Sequence, residues 1–413
     1  HPMLTRRQLL AQALRGSSLV ALGSVVPGFV ARTARAAAPG KENILVVLEL
    51  TGGNDGLNTV IPYADDLYHN ARPTLRKTKE QVIRLDDHVG LHPALQGMKT
   101  LWDDRRLAVV QGVGYPNPDR SHFESMDIWH LADPGRTAKT GWLGRATVEM
   151  ENRAGGVPIL HVGQGKLPLA ASGAPGAGGV SVGDQNSFRL EFGSASSTRD
   201  KPRRQLIADV STPMTDANEG DLLDFVQRRQ VQTLTAVENL RELLDGPNRA
   251  RGFGGGLLQK LQLIAGLIGR GFGTRIFYVT LEGFDTHSDQ APAHQKLLAE
   301  LGDSVGEFFR ELKETGHADR VRLMTFSEFG RRVRENGSRG TDHGAAACLF
   351  VAGAGMKAGV VGKHPSLADL GDDDLKYHTD FRRVYASLLD GWLHCDSKAV
   401  LGSKWDPIAE LST

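Results

Sequence analysis

The sequence predicts an α/β fold built on a mainly parallel central sheet flanked by helices. Three observations carry that expectation. Continuous apolar runs alternate with helix-period segments along most of the chain. Glycine is abundant, at 49 of 413 residues, which suits the many tight turns of such a fold. Three acidic or histidine clusters, Gly52-Gly53-Asn54-Asp55, Asp285-Thr286-His287 and Asp342-His343-Gly344, follow apolar runs, the third after a loop. Strand ends on one rim are where a parallel sheet gathers metal-binding or catalytic groups.

The elements follow in order. Residues 43–50 (NILVVLEL) form a continuous apolar run, the pattern of a strand buried on both faces. A helix is expected over 93–102 and a short strand over 107–111. After Pro118, residues 121–131 (SHFESMDIWHL) predict a helix with Ser121 as N-cap and Glu124 completing a capping box. Strands are expected at 157–162 and 179–182, and helices at 221–244 and 257–268. The stretch 150–250 as a whole reads as a helical or loop-rich insert over one end of the sheet. Further strands follow at 275–281, 321–326 and 347–351, a long helix at 293–314, and a closing helix at 381–393. Residues 41–413 are thus expected to be one α/β domain.

Composition narrows the class. Hydrophobic residues make up 40%, charged residues 23%, and the formal net charge is +1. A chain so balanced has no basic field to attract nucleic acid. The two cysteines, Cys348 and Cys395, give neither a disulfide framework nor a C-x-x-C metal motif. At the N-terminus, His1-Pro2 ahead of Met3 reads as a cloning remnant. Arg6-Arg7, a mildly apolar stretch over 17–30 and Ala36-Ala37-Ala38 then read as a twin-arginine export signal, which would place residues 1–40 outside the mature domain; the alternative is an amphipathic helix of the domain. The expected location is periplasmic or secreted, with the Tat export machinery as a partner. Past residue 40 no apolar stretch reaches about 18 residues, so no stable membrane insertion is expected after the signal is removed.

The residue types in the clusters point to a divalent metal. Asp55 is a carboxylate ligand at a strand end, or else part of an Asn-Asp-Gly turn. Asp285 and His287, two apart, point the same way in extended backbone, as a cation requires; Asp285 as a helix cap, or Asp289 in place of His287, are the alternatives. Asp342 and His343 can chelate one ion only from an irregular loop, which Gly340 and Gly344 supply. Glu328 is either a further ligand or a tether to Arg331 or Arg332, and His364 and His378 are lone imidazoles late in the chain. Oxygen and nitrogen donors without thiolate suit zinc, manganese or magnesium, alone or as a pair about 3.5–4 Å apart. Ser121 is the best-placed nucleophile, since the free N–H groups of a helix start favour an anion. Arg120 beside it can hold an anionic oxygen bidentately, and His122 flanks it on the other side. The alternative is that Ser121 only caps its helix.

Taken together, Gly52-Gly53-Asn54-Asp55-Gly56-Leu57-Asn58, Arg120-Ser121-His122-Phe123-Glu124-Ser125-Met126-Asp127, Gly283-Phe284-Asp285-Thr286-His287 and Ser327-Glu328-Phe329-Gly330-Arg331 resemble, in that order, the DUF1501 family of exported bacterial proteins. That family is similar in turn to the alkaline phosphatase and sulfatase superfamily. The resemblance implies a metal centre at the strand ends. Asp55 would be its first ligand, Ser121 its nucleophile, Asp285 with His287 its third element and Asp342-His343 its fourth. His378, followed by Thr379, would be the late histidine, ahead of His364. The chain departs from the superfamily in two ways. Asp285 and His287 are two apart rather than four, and no Cys/Ser-x-Pro-x-Arg motif surrounds Ser121. The implied activity is metal-dependent hydrolysis of phosphate or sulfate esters on a small molecule or glycan. The alternative is an exported binding or scaffold protein that keeps the fold without the chemistry.

Overall fold

The computed structural model describes residues 42–150, 157–163, 166–172, 179–182 and 255–412. The expected export signal over 1–40 and the expected helix over 221–244 lie outside the described residues. Among the described residues a nine-stranded mixed sheet forms the middle of the molecule. Its strands are β1 (Ile44–Thr51), β2 (Leu107–Gly114), β3 (Ile159–Val162), β4 (Gly179–Val182), β5 (Ile276–Glu282), β6 (Val321–Phe326), β7 (Ala347–Gly353), β8 (Gly359–Val361) and β9 (Thr379–Asp380). The spatial order is β8-β2-β7-β6-β1-β5-β3-β4, with β9 also on β2. All pairs are parallel except those of β7, which runs antiparallel to both β2 and β6. β3 and β4 fall within the stretch expected to be an insert, yet they extend the main sheet.

The unbroken apolar run of β1 has a simple cause. It is a central strand, and its alternate residues enter two separate cores. Val46, Leu48 and Leu50 pack on one face, and Leu45 and Val47 on the other. Helices α1 (Gln96–Asp103), α4 (Leu257–Gly269) and α5 (Gln290–Glu314) cover the first face through Met98, Ile264, Leu298 and Val305. Helices α2 (His122–Leu131), α3 (Trp142–Glu149) and α6 (Phe381–Leu388) cover the second through Ile128, Trp142 and Val384. Ser121 occupies the N-cap of α2 but makes no side-chain cap hydrogen bond, so the expected capping box does not form.

The loops leaving β1, β5 and β6 cross at one rim. Gly52 has φ +117, and a Cβ there would lie 2.4 Å from the backbone nitrogen of Asp285. Only glycine lets the two loops approach so closely. At their crossing lies the guanidinium of Arg331, fully buried. Its Nε donates to the Gly53 carbonyl (2.6 Å) and Nη1 to the Thr341 carbonyl (2.8 Å). Nη2 donates to the carbonyls of Gly52 and Phe284 and to Asp285 Oδ1 (2.7 Å). One side chain thus satisfies polar groups from three loops that no strand pairs. Beneath it, His294 Nε2 donates to Asn54 Oδ1 (3.0 Å) and stacks edge-on against His92.

Two outcomes follow. Arg331→Met leaves several carbonyls and Asp285 without a buried donor, and is expected to lower unfolding free energy in urea by about 3–5 kcal/mol. A loss under about 1 kcal/mol would show that the loops hold without it. Burial also pushes His92 down to about 3 and His161, His294 and His364 to about 4. The unfolded chain takes up these protons near pH 6.5 and the folded one does not, so stability is complete above that pH. Melting temperature should fall as pH drops from 6.5 towards 4, with a shallower slope in His294→Gln. An equal slope in that variant would contradict the assignment.

Candidate metal centre

Three side chains from different elements meet at this rim. His122 opens α2, Asp285 follows β5, and His343 lies in the loop before β7. Each offers a donor atom within 4.8 Å of the other two. His287, two residues after Asp285, joins from the solvent side. Its Nε2 stands 3.0 Å from Asp285 Oδ1 and 2.9 Å from His343 Nε2. His343 Nε2 is itself 3.2 Å from Asp285 Oδ1. His122 Nε2, shielded from solvent, has no hydrogen-bond partner and stands 3.5 Å from Asp285 Oδ2. The two-residue step from Asp285 to His287 therefore does bring both side chains together, as extended backbone allows.

A second layer holds the imidazoles. Glu328, whose side chain is fully buried, sits just past β6. Its Oε1 accepts from His122 Nδ1 (2.7 Å) and from the Gly52 backbone N–H (2.9 Å). Its own carbonyl accepts from Ser125 Oγ and from Trp129 Nε1 (2.8 Å), clamping α2 onto the sheet. Glu328 is thus a tether, through His122 and Gly52 rather than through an arginine. His287 Nδ1 faces Asp342 Oδ1 (3.2 Å), and His343 Nδ1 donates to the Arg120 carbonyl (2.8 Å). The charges respond to this packing. Burial pushes the Asp285 carboxyl up, but Arg331 and His343 outweigh it and bring it to about 2. The hydrogen bond that His122 donates to Glu328 raises its pKa above the ordinary value, against the opposing effect of burial. Asp342 is lowered, chiefly by the amide of Asn336.

Several expected site residues lie elsewhere. Asp55, expected as the first ligand, is fully buried and not part of the cluster. Arg72 grips both its oxygens at 2.6 and 3.1 Å, and Gln290 donates to Oδ2 at 2.5 Å. Its pKa is lowered because Arg72 overcomes the cost of burial. His378 donates from Nε2 to the Lys363 carbonyl (2.7 Å) and pairs Nδ1 with Thr379 Oγ1 (3.0 Å). His364 pairs Nδ1 with the Pro365 carbonyl (2.8 Å). Neither joins the cluster. Asp342 supports His287 instead of standing with the converging donors. Arg120, expected to hold an anion, is already bound by Asp372 (2.7 Å) and Asp374 (2.5 Å). It reaches the site through its carbonyl. His122 was expected beside the nucleophile, and its side chain proves to be one of the converging donors. The sequence signal for that was faint: a histidine next to a helix-opening serine, with its partner Glu328 206 residues away.

The donors fit a divalent ion. They combine imidazole nitrogens with a carboxylate, and the buried His122 Nε2 has no hydrogen-bond partner. Solved structures similar to this chain include the PsFucS1 sulfatase from Pseudoalteromonas sp., at 10% identity over 94% of this chain and 74% of that one, with a TM-score of 0.38. The lipoteichoic acid synthase LtaP from Listeria monocytogenes is similar at 8% identity, over 94% and 81%, with a TM-score of 0.36. The zinc complex of the C-terminal periplasmic domain of EcEptC from Escherichia coli matches at 12% identity, over 78% and 75%, with a TM-score of 0.32. At such scores these likenesses carry no statement about the chemistry of this chain. No curated protein sequence matches it. A family profile described as "Protein of unknown function (DUF1501)" matches residues 42–390, and the chain therefore belongs to the DUF1501 family.

Proposed function

We propose that the protein is an exported, metal-dependent hydrolase of phosphate or sulfate esters, with Ser121 as nucleophile. The observation that carries this reading is the convergence of His122, Asp285 and His343 at one rim, with Ser121 preceding His122 in the chain as the N-cap of α2. Ser121 is held on both sides by that cluster. The carbonyl of Arg120 before it accepts from His343, and His122 after it bonds Glu328. Its hydroxyl makes no cap bond, so it is not committed to the first-turn N–H groups of α2, and a helix start favours an ester's anionic oxygens. A divalent ion on these donors would lower the pKa of the attacking hydroxyl and neutralise charge on the transferred group. The chain's own part is positional. Arg331 keeps Asp285 in place and ionised, Glu328 keeps His122 in place, and α2 presents Ser121 at the rim. Export rests on Arg6-Arg7 and the segment after it.

A binding or scaffold role is the second reading, favoured by one feature. Arg120, the cation closest to Ser121 in sequence, is engaged by Asp372 and Asp374.

Turnover of aryl phosphate, phosphodiester and sulfate esters should appear when the protein is loaded with zinc, manganese or magnesium, and a chelator should abolish it. Ser121→Ala should reduce kcat by at least about 10³-fold. A metal-loaded protein with no turnover, or undiminished turnover in Ser121→Ala, would leave the scaffold reading standing.

A further inference from the structure

The three imidazoles share a hydrogen-bonding plan. Each sets its Nδ1 against a group that only accepts: the Glu328 carboxylate for His122, the Asp342 carboxylate for His287, and the Arg120 carbonyl for His343. A neutral imidazole so placed carries its proton on Nδ1 and leaves Nε2 bare. Each Nε2 faces the Asp285 carboxylate, that of His122 at 3.5 Å from Oδ2. His287 Nε2 and His343 Nε2 are 2.9 Å apart, and each lies 3.0–3.2 Å from Asp285 Oδ1. Two bare nitrogens at that distance repel one another unless a cation, or an extra proton, lies between them. Bonds of about 2.0–2.1 Å to a tetrahedral ion would set neighbouring donors about 3.3 Å apart, close to the spacings seen.

The same residues limit the number and kind of ion. Asp55 is committed to Arg72 and Gln290, Asp342 to His287 and Asn336, and His378 to Lys363 and Thr379. Among the described residues no second group of three donors lies close enough to hold another ion. Magnesium demands oxygen ligands and keeps its waters, whereas imidazole nitrogen suits zinc.

Building on the metal-site reading above, we infer that this is a one-ion, imidazole-rich zinc site. His122, His287 and His343 bind through Nε2 and Asp285 through its carboxylate. Glu328 and Asp342 are positioning residues that present two of the imidazoles.

The test uses the full chain after removal of metal with a chelator. Calorimetric titration with zinc should give one equivalent, and magnesium should bind at least about 10³-fold more weakly. Cobalt(II) in place of zinc gives visible absorption bands that report donor number and geometry. His287→Ala, at a side chain 44% exposed, should keep the fold, bind zinc about 10–100-fold more weakly and change the cobalt spectrum. Glu328→Gln should weaken zinc by the same range and shift the cobalt bands, which a merely structural role would leave in place once near-ultraviolet circular dichroism shows native packing. His378→Ala should leave affinity and spectrum unchanged. Two equivalents of zinc, magnesium bound as tightly as zinc, or wild-type affinity and spectrum in His287→Ala would overturn the inference while leaving a metal site in place. A wild-type chain that binds none of these ions would overturn the site reading itself.

Discussion

The buried guanidinium of Arg331 is the interaction on which the rest of this rim depends. A parallel sheet delivers the chain to its C-terminal edge with backbone groups that no strand pairs, and buried carbonyls left without donors are costly. Arg331 supplies donors to the carbonyls of Gly52, Gly53, Phe284 and Thr341, and its remaining bond goes to Asp285. A lysine could not do this, because its donors lack the fixed planar fork. The approach has a steric condition as well, met by Gly52 at φ +117 and Gly53 at φ +74. Loops that would otherwise be independent become one rigid platform.

That platform explains why a carboxylate and three imidazoles can crowd together. Asp285 is held ionised by Arg331, and the imidazoles are each turned by an acceptor behind them. Those acceptors come from β6's end, from the loop before β7 and from the residue before Ser121. Site and nucleophile candidate therefore share a single support. Glu328 links them most directly, because its carboxylate orients His122 while its carbonyl anchors α2 through Ser125 and Trp129.

Much of this was legible in the sequence, and the exceptions share a physical reason. The strands showed as continuous apolar runs because both faces of the sheet are covered, as at Leu45–Leu50 of β1, where neighbours enter opposite cores. Asp285, His287 and His343 were legible because short spacing and glycine-rich loops limit where such side chains can go. Asp55 looked like a ligand by its place after β1, but its role is set by Arg72 and Gln290, and nothing local marks either as its partner. His122 was the reverse case: its neighbourhood in sequence says little, and its orientation comes from Glu328, 206 residues on. The strands β3 and β4 were visible as short apolar runs, but their membership of the main sheet depends on pairing with β5, a partner far along the chain.

The central claim is that loops tied by Arg331 aim four side chains at one ion. Crystals of zinc-loaded protein, measured on both sides of the zinc absorption edge, test it most directly. The account predicts one anomalous peak per chain, bounded by His122 Nε2, His287 Nε2, His343 Nε2 and Asp285 at about 2.0–2.2 Å. A peak at Asp55, a second peak of equal height, or none at the rim would contradict it.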